Sequence, residues 1–296
     1  MTNRYLPGQV LSRVERLELR ARRIVEGWLV GRQASPYLGA ATEFAGHRAY
    51  SQGDEVRRLD WKVYARSRRL VVKQFHEETH LPCWIVVDSS RSMAYGAAEA
   101  WSKYDHAATF AACLAHLLSE QQDAPGLAVR DSKQPRLVAP HAHPQQVARI
   151  AGQLELLEPQ GEVDVIELAR EALARWERRG LMVLVGDFLD GNERLAPLLR
   201  ELRQRRQEVI VAQVLHGDEL TFPFEGMTEF RGLEGASSLE SDPTALRRTY
   251  LAELEKLLAE VERACRTCDA EYLRIDMREP LETCLTRFLG MRHGRG

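Results

Sequence analysis

Residues 81–93 read Leu-Pro-Cys-Trp-Ile-Val-Val-Asp-Ser-Ser-Arg-Ser-Met, an apolar run that ends abruptly at Asp88. A short apolar run of this kind is typical of a strand buried on both faces of a parallel sheet. Ser90 and Ser92 follow Asp88 at alternate positions, so three oxygen-bearing side chains stand where the strand is expected to end. A hard divalent cation requires such oxygen ligands. An alternative is a simple turn or helix cap, because Asp and Ser accept backbone N–H bonds there.

From residue 81 onward, apolar runs alternate with segments of helical periodicity. Such alternation predicts an α/β fold: a doubly wound, mostly parallel sheet with helices on both faces. The predicted strands are Leu81–Asp88, Leu127–Val129, Arg136–Ala139, Leu181–Gly186, Val209–Leu215 and Glu271–Asp276. The second and third are separated by a turn-like segment, which indicates a hairpin suited to a sheet edge.

Residues 1–80 differ from the rest of the chain in composition and in hydrophobic periodicity. Val14 to Leu29 is compatible with an amphipathic helix, whereas Gly31 to Arg58 is rich in Gly, Ser and Arg without a sustained period. We therefore predict a smaller N-terminal subdomain over residues 1–80, which contains the block Gly53–Arg69, and an α/β domain over residues 81–296.

Composition and charge restrict the function classes. The chain of 296 residues has a formal charge of −2, so its net charge gives no attraction to nucleic acid or anionic lipid. Residues 1–23 contain no apolar signal segment, and no stretch of 18 apolar residues occurs, so we expect no membrane span and a cytoplasmic location. Five cysteines, an odd count, do not suggest a disulfide framework. No phosphate-binding glycine loop is present, so nucleotide hydrolysis would belong to a partner, and no serine stands in a Gly-x-Ser-x-Gly elbow. We expect a protein that is not an enzyme.

A second carboxylate, Asp187, follows the predicted strand Leu181–Gly186. In an open parallel sheet, ligands bind beyond the carboxyl ends of the strands, where neighbouring connections run to opposite faces. If the two strands are neighbours, Asp88 and Asp187 lie close together with Ser90 and Ser92 between them. These four residues are the predicted metal ligands. Mg²⁺ is the favoured cation, and Ca²⁺ and Mn²⁺ are alternatives.

Asp88, Ser90 and Ser92 form the pattern Asp-x-Ser-x-Ser, which resembles the metal-ion-dependent adhesion site of von Willebrand factor A domains. The resemblance implies that Asp187 is the later strand-end aspartate of that site. It also implies a threonine within residues 161–165, where this chain has Val163. Valine offers no oxygen, so the site lacks one ligand of the family pattern unless Glu162 or Asp164 turns inward.

A more specific resemblance precedes this strand. The segments that carry it are Glu43-Phe44, Arg48-x-Tyr50, Gly53-Asp54-x-Val56-Arg57, Leu59-Asp60-Trp61-Lys62, Ala65-Arg66 and Val72-Lys73-Gln74-Phe75. Together with Asp242-Pro243, Tyr250 and residues 285–292, they resemble the bacterial family catalogued as domain of unknown function 58. The resemblance implies an adaptor or assembly factor that works with a MoxR-type AAA+ ATPase or its client, without a small-molecule substrate.

The first functional hypothesis is therefore a non-enzymatic interaction module that binds a partner's carboxylate through a strand-end cation. The second keeps the fold without the metal and uses the Arg57–Arg69 surface, whose mixed charges around Trp61 and Tyr64 suit either an internal ion-pair network or partner docking. The acids among these arginines argue against nucleic-acid binding. A third hypothesis is a metal-dependent phosphoester hydrolase, for which Asp164 and Asp190 are weak candidate bases.

Three further motifs invite metal or redox interpretations. His76-Glu77-Glu78-Thr79-His80 matches a zinc-protease pattern, but that pattern requires a helix. In the extended chain expected here, the two histidines would lie about 13 Å apart. His141-x-His143 stands in a proline-flanked segment and is interpreted as a loop. Cys265-x-x-Cys268 ends a long helical pattern without a second cysteine pair, so a structural role is favoured.

Overall fold

The fold was analysed in a computed structural model of the chain. The structure describes residues 16–31, 44–49, 61–68, 70–75, 80–96, 101–131, 134–161, 163–176, 178–189, 192–230 and 239–293. The chain divides into two compact units. The larger unit comprises Met1–Gln33 and Leu81–Gly296, and the smaller unit comprises Ala34–His80.

Helices and strands alternate along most of the described chain. The helices are α1 (Leu17–Gly31), α2 (Trp61–Ser67), α3 (Lys103–Glu120), α4 (Gln146–Glu155), α5 (Val165–Ala174), α6 (Asn192–Gln204), α7 (Gly217–Thr221), α8 (Pro243–Thr267) and α9 (Leu281–His293). The strands are β1 (Phe44–Ala49), β2 (Val71–Phe75), β3 (Pro82–Val87), β4 (Ala124–Arg130), β5 (Pro135–Val138), β6 (Leu181–Gly186), β7 (Glu208–Leu215), β8 (Thr228–Phe230), β9 (Leu239–Ser241) and β10 (Glu271–Asp276).

The larger unit is built on a six-stranded sheet in the order β10-β7-β6-β3-β4-β5. All neighbouring pairs are parallel except β4 and β5, which form the predicted antiparallel hairpin at one edge. The predicted doubly wound, mostly parallel α/β fold is therefore confirmed. After β3, the chain adds β4 and β5 on one side of β3. It then crosses to the other side, where it adds β6, β7 and β10 in turn. The pair β3 and β6 is thus the topological switch point, where a doubly wound sheet binds its ligands.

Helices cover both faces of this sheet, and side chains alternate between two cores as the period of a strand requires. In β3, Cys83, Ile85 and Val87 face the core that α1, α3, α4 and α9 cover. Trp84 and Val86 face the opposite core, against α5, α6 and α8. Strands that are apolar at every position are therefore explained by burial on both faces.

Helix α1 belongs to the larger unit, although we predicted it within an N-terminal subdomain of residues 1–80. The reason is its apolar stripe, since Leu17, Ala21 and Val25 are buried in the core beside α3. The helix is also held by polar contacts: the backbone N–H of Leu17 donates to the carboxylate of Glu155 in α4. The smaller unit consequently starts near residue 34 and ends at residue 80.

In the smaller unit, β1 and β2 pair in antiparallel register, with Ala49 opposite Val71. Helix α2 presents Trp61, whose exposed fraction is 56%, and its ring meets Tyr64 edge-on at a centroid distance of 6.1 Å. Arg66 on the same helix is exposed. Most of the predicted Gly53–Arg69 block, including Arg57, lies outside the described residues.

Candidate functional site

Asp88 and Asp187 lie at the carboxyl ends of β3 and β6, directly after the last residue of each strand. The two strands are parallel neighbours, and the backbone N–H of Asp88 donates to the carbonyl of Val185 at 2.8 Å. Each aspartate is only 5% exposed. Gly186 permits this close approach, because a Cβ at that position would lie 2.8 Å from the Cβ of Asp88. The structure therefore brings the two predicted strand-end carboxylates to the same crevice.

Ser90 and Ser92 lie on the loop that leaves Asp88. The backbone N–H of Ser90 donates to Oδ1 of Asp88 at 2.8 Å, and the two serine hydroxyl oxygens are 2.9 Å apart. Ser89 anchors the loop from the other side by donating its hydroxyl to the carbonyl of Arg130 at 2.6 Å. Asp88 thus accepts the backbone hydrogen bond expected of an Asx turn. The hydroxyl groups of Ser90 and Ser92 lie next to each other on the same loop.

The segment that should contain the missing threonine runs beside this loop. The N–H of Arg91 donates to the carbonyl of Gly161 at 2.9 Å, so the two loops are in contact. Val163 is half-buried. Asp164 is not turned inward, because its side chain caps α5 by accepting from the N–H groups of Ile166 and Glu167. Glu162 lies outside the described residues, so among those described no side chain of this segment replaces the missing oxygen.

Lys103, which is not among the residues predicted for the site, lies in the crevice. Its ammonium Nζ donates to Oδ2 of Asp187 at 2.7 Å and to Oε1 of Glu219 at 2.6 Å. The side chain is 1% exposed, which is rare for a lysine and requires pairing of the charge. The crevice therefore contains a positive charge of its own.

Helix α3 and the short helix α7 bring this charge into place. Ser102 caps α3 through a reciprocal capping box with Asp105, which fixes Lys103 at the first turn. Glu219 belongs to a second capping box in α7, where its other oxygen accepts the N–H of His216 at 2.7 Å. Both ends of the Lys103–Glu219 contact are thus positioned by helix caps.

The charge balance of the crevice is negative. Three carboxyl groups, those of Asp88, Asp187 and Glu219, lie around the single ammonium of Lys103. Burial, and then the neighbouring charge of Asp187, raise the pKa of Asp88 to about 7. Burial alone would lower the pKa of Lys103, but Asp187 and Glu219 raise it above its ordinary value. A further cation would relieve the repulsion that Asp88 experiences.

The donor set fits such a cation at the Asp88 loop. Two ligands at adjacent corners of a Mg²⁺ octahedron lie about 3 Å apart, given Mg–O distances of 2.0–2.1 Å. The hydroxyl groups of Ser90 and Ser92 are hydrogen-bonded to each other with their oxygens 2.9 Å apart, a separation that two adjacent Mg²⁺ ligands also have. Asp88 adjoins them, whereas Asp187 shares one oxygen with Lys103. The oxygens of Asp88, Ser90 and Ser92 would be the ones to hold a hydrated Mg²⁺, with Asp187 at the margin of such a site.

Lys103 was not predicted as a site residue because a lysine at the start of a helix is ordinarily solvated. One signal was nevertheless present. Helix α3 is apolar around almost its whole circumference, which indicates a helix buried on all sides. A lysine in such a helix needs a buried partner, and that requirement identifies Lys103 as a site residue.

The other motifs lie away from this crevice or are buried as structural groups. His141 and His143 are exposed in a loop, as predicted. Cys265 and Cys268 are buried at the end of α8. His76 lies outside the described residues. In the part of the chain that the structure describes, no group of three or more His, Cys, Asp or Glu side chains is placed to share a metal ion.

Comparison with known proteins gives a family match over most of the chain. A profile described as "Protein of unknown function DUF58" matches residues 46–259. Uncharacterized proteins of Mycobacterium tuberculosis and Mycobacterium bovis are each 29% identical over 281 residues, which covers 93% of this chain and 87% of theirs.

Solved structures with a similar fold are more distant in sequence. An aerotolerance-related membrane protein from Bacteroides fragilis is 16% identical with a TM-score of 0.49, covering 70% of this chain and 96% of that one. BatB from Bacteroides thetaiotaomicron is 15% identical with a TM-score of 0.45, covering 71% and 99%. The VWA domain of SpRpn10 is 13% identical with a TM-score of 0.42, covering 70% and 95%.

The expected cytoplasmic location is corrected by this comparison. Two of the similar structures are named as membrane proteins, one from Bacteroides fragilis and one from Vibrio fischeri. A sequence without a long apolar run therefore does not establish the cytoplasm for a chain of this fold, and that assignment is withdrawn. The described helices all lack the length or the apolar character that a bilayer span requires.

Proposed function

The chain belongs to the family of proteins of unknown function DUF58, as its motifs predicted, and from this premise we propose that it is a non-enzymatic protein-interaction module. Its binding site in this proposal is the crevice at the carboxyl ends of β3 and β6. The observation that supports it best is the pair of buried strand-end carboxylates, Asp88 and Asp187, beside two serine hydroxyl oxygens that lie 2.9 Å apart.

In this proposal, Asp88, Ser90 and Ser92 hold a divalent cation, preferably Mg²⁺, and Asp187 contributes charge from the neighbouring strand. The bound cation supplies a directional site for an oxygen ligand of a partner. Ser92 is half-buried while Asp88 and Ser90 are buried, so the partner approaches from the side of Ser92. The family resemblance makes a MoxR-type AAA+ ATPase or its client the proposed partner.

Copurification tests this proposal directly. Tagged wild-type protein is isolated from its native cells in Mg²⁺ or in EDTA, together with Asp88→Asn and Ser92→Ala. We expect an AAA+ ATPase or its client to copurify with the wild type in Mg²⁺. We expect at least a tenfold loss of that partner in EDTA and in either variant.

Asp242→Asn is the matched control for the loss of one carboxylate. Asp242 caps α8 through its side chain, and asparagine caps helices equally well. This control should retain the partner, and circular dichroism should show that all variants fold. Equal partner recovery with Mg²⁺ and with EDTA, or with wild type and Asp88→Asn, would contradict the cation bridge.

A second candidate keeps the interaction role and moves it to the smaller unit. It is favoured by the exposed ring of Trp61 and the exposed guanidinium of Arg66 on α2. Arg57 completes this candidate surface in the sequence but lies outside the described residues. If this surface binds the partner, Arg57→Glu with Arg66→Glu should abolish copurification, while EDTA should have no effect.

The phosphoester hydrolase hypothesis has less support. It requires a base beside the cation, and Asp164 is engaged as the cap of α5 and in an ion pair with Arg194. The other candidate base, Asp190, lies outside the described residues. No turnover of generic phosphoesters is therefore expected in Mg²⁺ or Mn²⁺.

A further inference from the structure

We infer that Lys103 is an internal competitor of the cation and limits how tightly the crevice binds a divalent metal. This inference rests on the proposed function, because it concerns the same site. It follows from the contacts of one ammonium group that the Asp-x-Ser-x-Ser pattern does not include.

The carboxylate of Asp187 already has a positively charged partner. The ammonium of Lys103 donates to Oδ2 of Asp187 at 2.7 Å, so one oxygen of the strand-end carboxylate is already engaged. A metal that used this oxygen would have to displace the ammonium. Displacement is hindered because Glu219 holds the same ammonium from the other side at 2.6 Å.

Lys103 also opposes a metal ion through its charge. Lys103 and Asp187 are buried, and attraction or repulsion between charges is screened less inside a protein than in water. A fixed ammonium beside Asp187 therefore repels an incoming divalent cation and cancels the attraction of one carboxylate. The described hydrogen bonds of the ammonium go to Asp187 and Glu219, so Asp88, which interacts with Lys103 only through its charge, is the carboxylate available to the metal.

The site also lacks an oxygen ligand at Val163. A site with one ligand fewer and a neighbouring positive charge binds a cation weakly unless a further anionic ligand arrives. An incoming carboxylate from a partner would supply both the ligand and the compensating charge. Cation and acidic partner are then expected to bind together, each strengthening the other.

The experiment measures Mn²⁺ affinity of the full-length protein from the electron paramagnetic resonance signal of free Mn²⁺. The principal variant is Lys103→Met combined with Glu219→Gln, which removes one positive and one negative charge. In this variant the carboxylate of Asp187 keeps the hydrogen bond that it accepts from the backbone N–H of Leu189. We expect this double variant to bind Mn²⁺ at least tenfold more tightly than the wild type.

Four control variants test whether the tighter Mn²⁺ binding results from loss of the Lys103 charge at the crevice. Lys103→Arg retains the positive charge and should bind no more tightly than the wild type. Glu219→Gln alone leaves the ammonium on Asp187 and should give no gain. Lys256→Met removes an exposed lysine paired with Glu253 on α8 and should leave the affinity unchanged. Asp88→Asn added to the double variant should remove the gain, which places the bound Mn²⁺ at the crevice.

Folding is checked by thermal unfolding, because loss of a buried ion pair can destabilise a protein. If the double variant does not fold, Lys103→Gln provides the same test, since its amide donates to the carboxylates without charge. If the wild type binds Mn²⁺ and the double variant binds it no more tightly, the role of Lys103 is overturned and the proposed function still stands. Binding by the double variant but not by the wild type would support Lys103 and contradict a bridging cation in the native protein. No Mn²⁺ binding by any variant would overturn both.

Discussion

At the scale of single residues, Asp88 gives the protein a pH-dependent stability. Its pKa is raised from 3.8 to about 7, mainly by burial and then by the charge of Asp187. An acid whose pKa is higher in the folded state than in the unfolded chain stabilises the fold less as the pH rises between the two values. The contribution of Asp88 to the free energy of unfolding should therefore fall between about pH 4 and pH 7 and then level off. Buried His106, whose pKa is lowered to about 4, acts in the opposite direction, so the effect of Asp88 is measured as the difference between wild type and variant.

Asp88→Asn tests this effect in EDTA. Asparagine retains an acceptor for the N–H of Ser90 but cannot ionise. We expect the variant to be more stable than the wild type above pH 7, by up to about 4 kcal/mol, with the difference shrinking as the pH falls toward 4. Urea unfolding at several pH values measures it, with Asp242→Asn as the control that should show no such trend.

Gly186 is the second residue with a specific role. Its missing side chain admits Asp88, since a Cβ would lie 2.8 Å from the Cβ and 3.1 Å from Oδ2 of that residue. Gly186→Ala should destabilise the protein by about 1–3 kcal/mol, the usual cost of overpacking. Gly152→Ala is the control, because open space surrounds its position in α4 and alanine is the better helix former. Equal melting temperatures for the two variants would contradict the crowding described at Gly186.

At the scale of elements, α1 is expected to contribute directly to the stability of the larger unit. Leu17 is 3% exposed in the core, whereas Leu19 on the same helix is 50% exposed. Leu17→Ala should cost about 2–5 kcal/mol, and Leu19→Ala should change the free energy of unfolding by less than about 0.5 kcal/mol. Urea denaturation followed by circular dichroism distinguishes them. Similar small losses would mean that α1 is not part of this core.

Element positions were predictable where the apolar pattern is long and regular. Strands such as β6 are apolar throughout because both faces are buried, and this pattern also located Asp187. The short elements α7, β8 and β9 contain three to five residues, too few for a period to be recognised. Consequently α7, which brings Glu219 into the crevice, was missed together with its role.

Long-range pairing was likewise beyond prediction. Asp88, Ser90 and Ser92 are neighbours in sequence, and Asp187 ends a recognisable strand, so local patterns located these four. The apolar pattern of α3 indicates that Lys103 needs a buried partner, but only the folded chain shows that its partners are Asp187 and Glu219. The placement of α1 also depended on which core its stripe meets, which its own sequence does not specify.

At the scale of the whole molecule, all five cysteines are reduced and buried. Burial raises the pKa of Cys113 and of Cys265 to about 12, so few thiolates are present at neutral pH. Ellman's reagent should therefore label none of the five thiols in the native protein and all five after denaturation without reductant. Recovery of only three after denaturation would indicate a disulfide within Cys265-x-x-Cys268.

The ion cluster of Lys103 also has a consequence for the order of folding. Lys103 is 84 positions from Asp187 and 116 positions from Glu219 along the chain. Contacts so distant in sequence form only after the chain between them has been ordered, because closing long loops costs entropy. The crevice therefore acquires its charge balance only when α3, β6 and α7 have all assembled. A nascent chain that has not yet reached α7 lacks Glu219 and therefore has an incomplete crevice, so a partner that recognises the complete charge cluster would not bind such a chain.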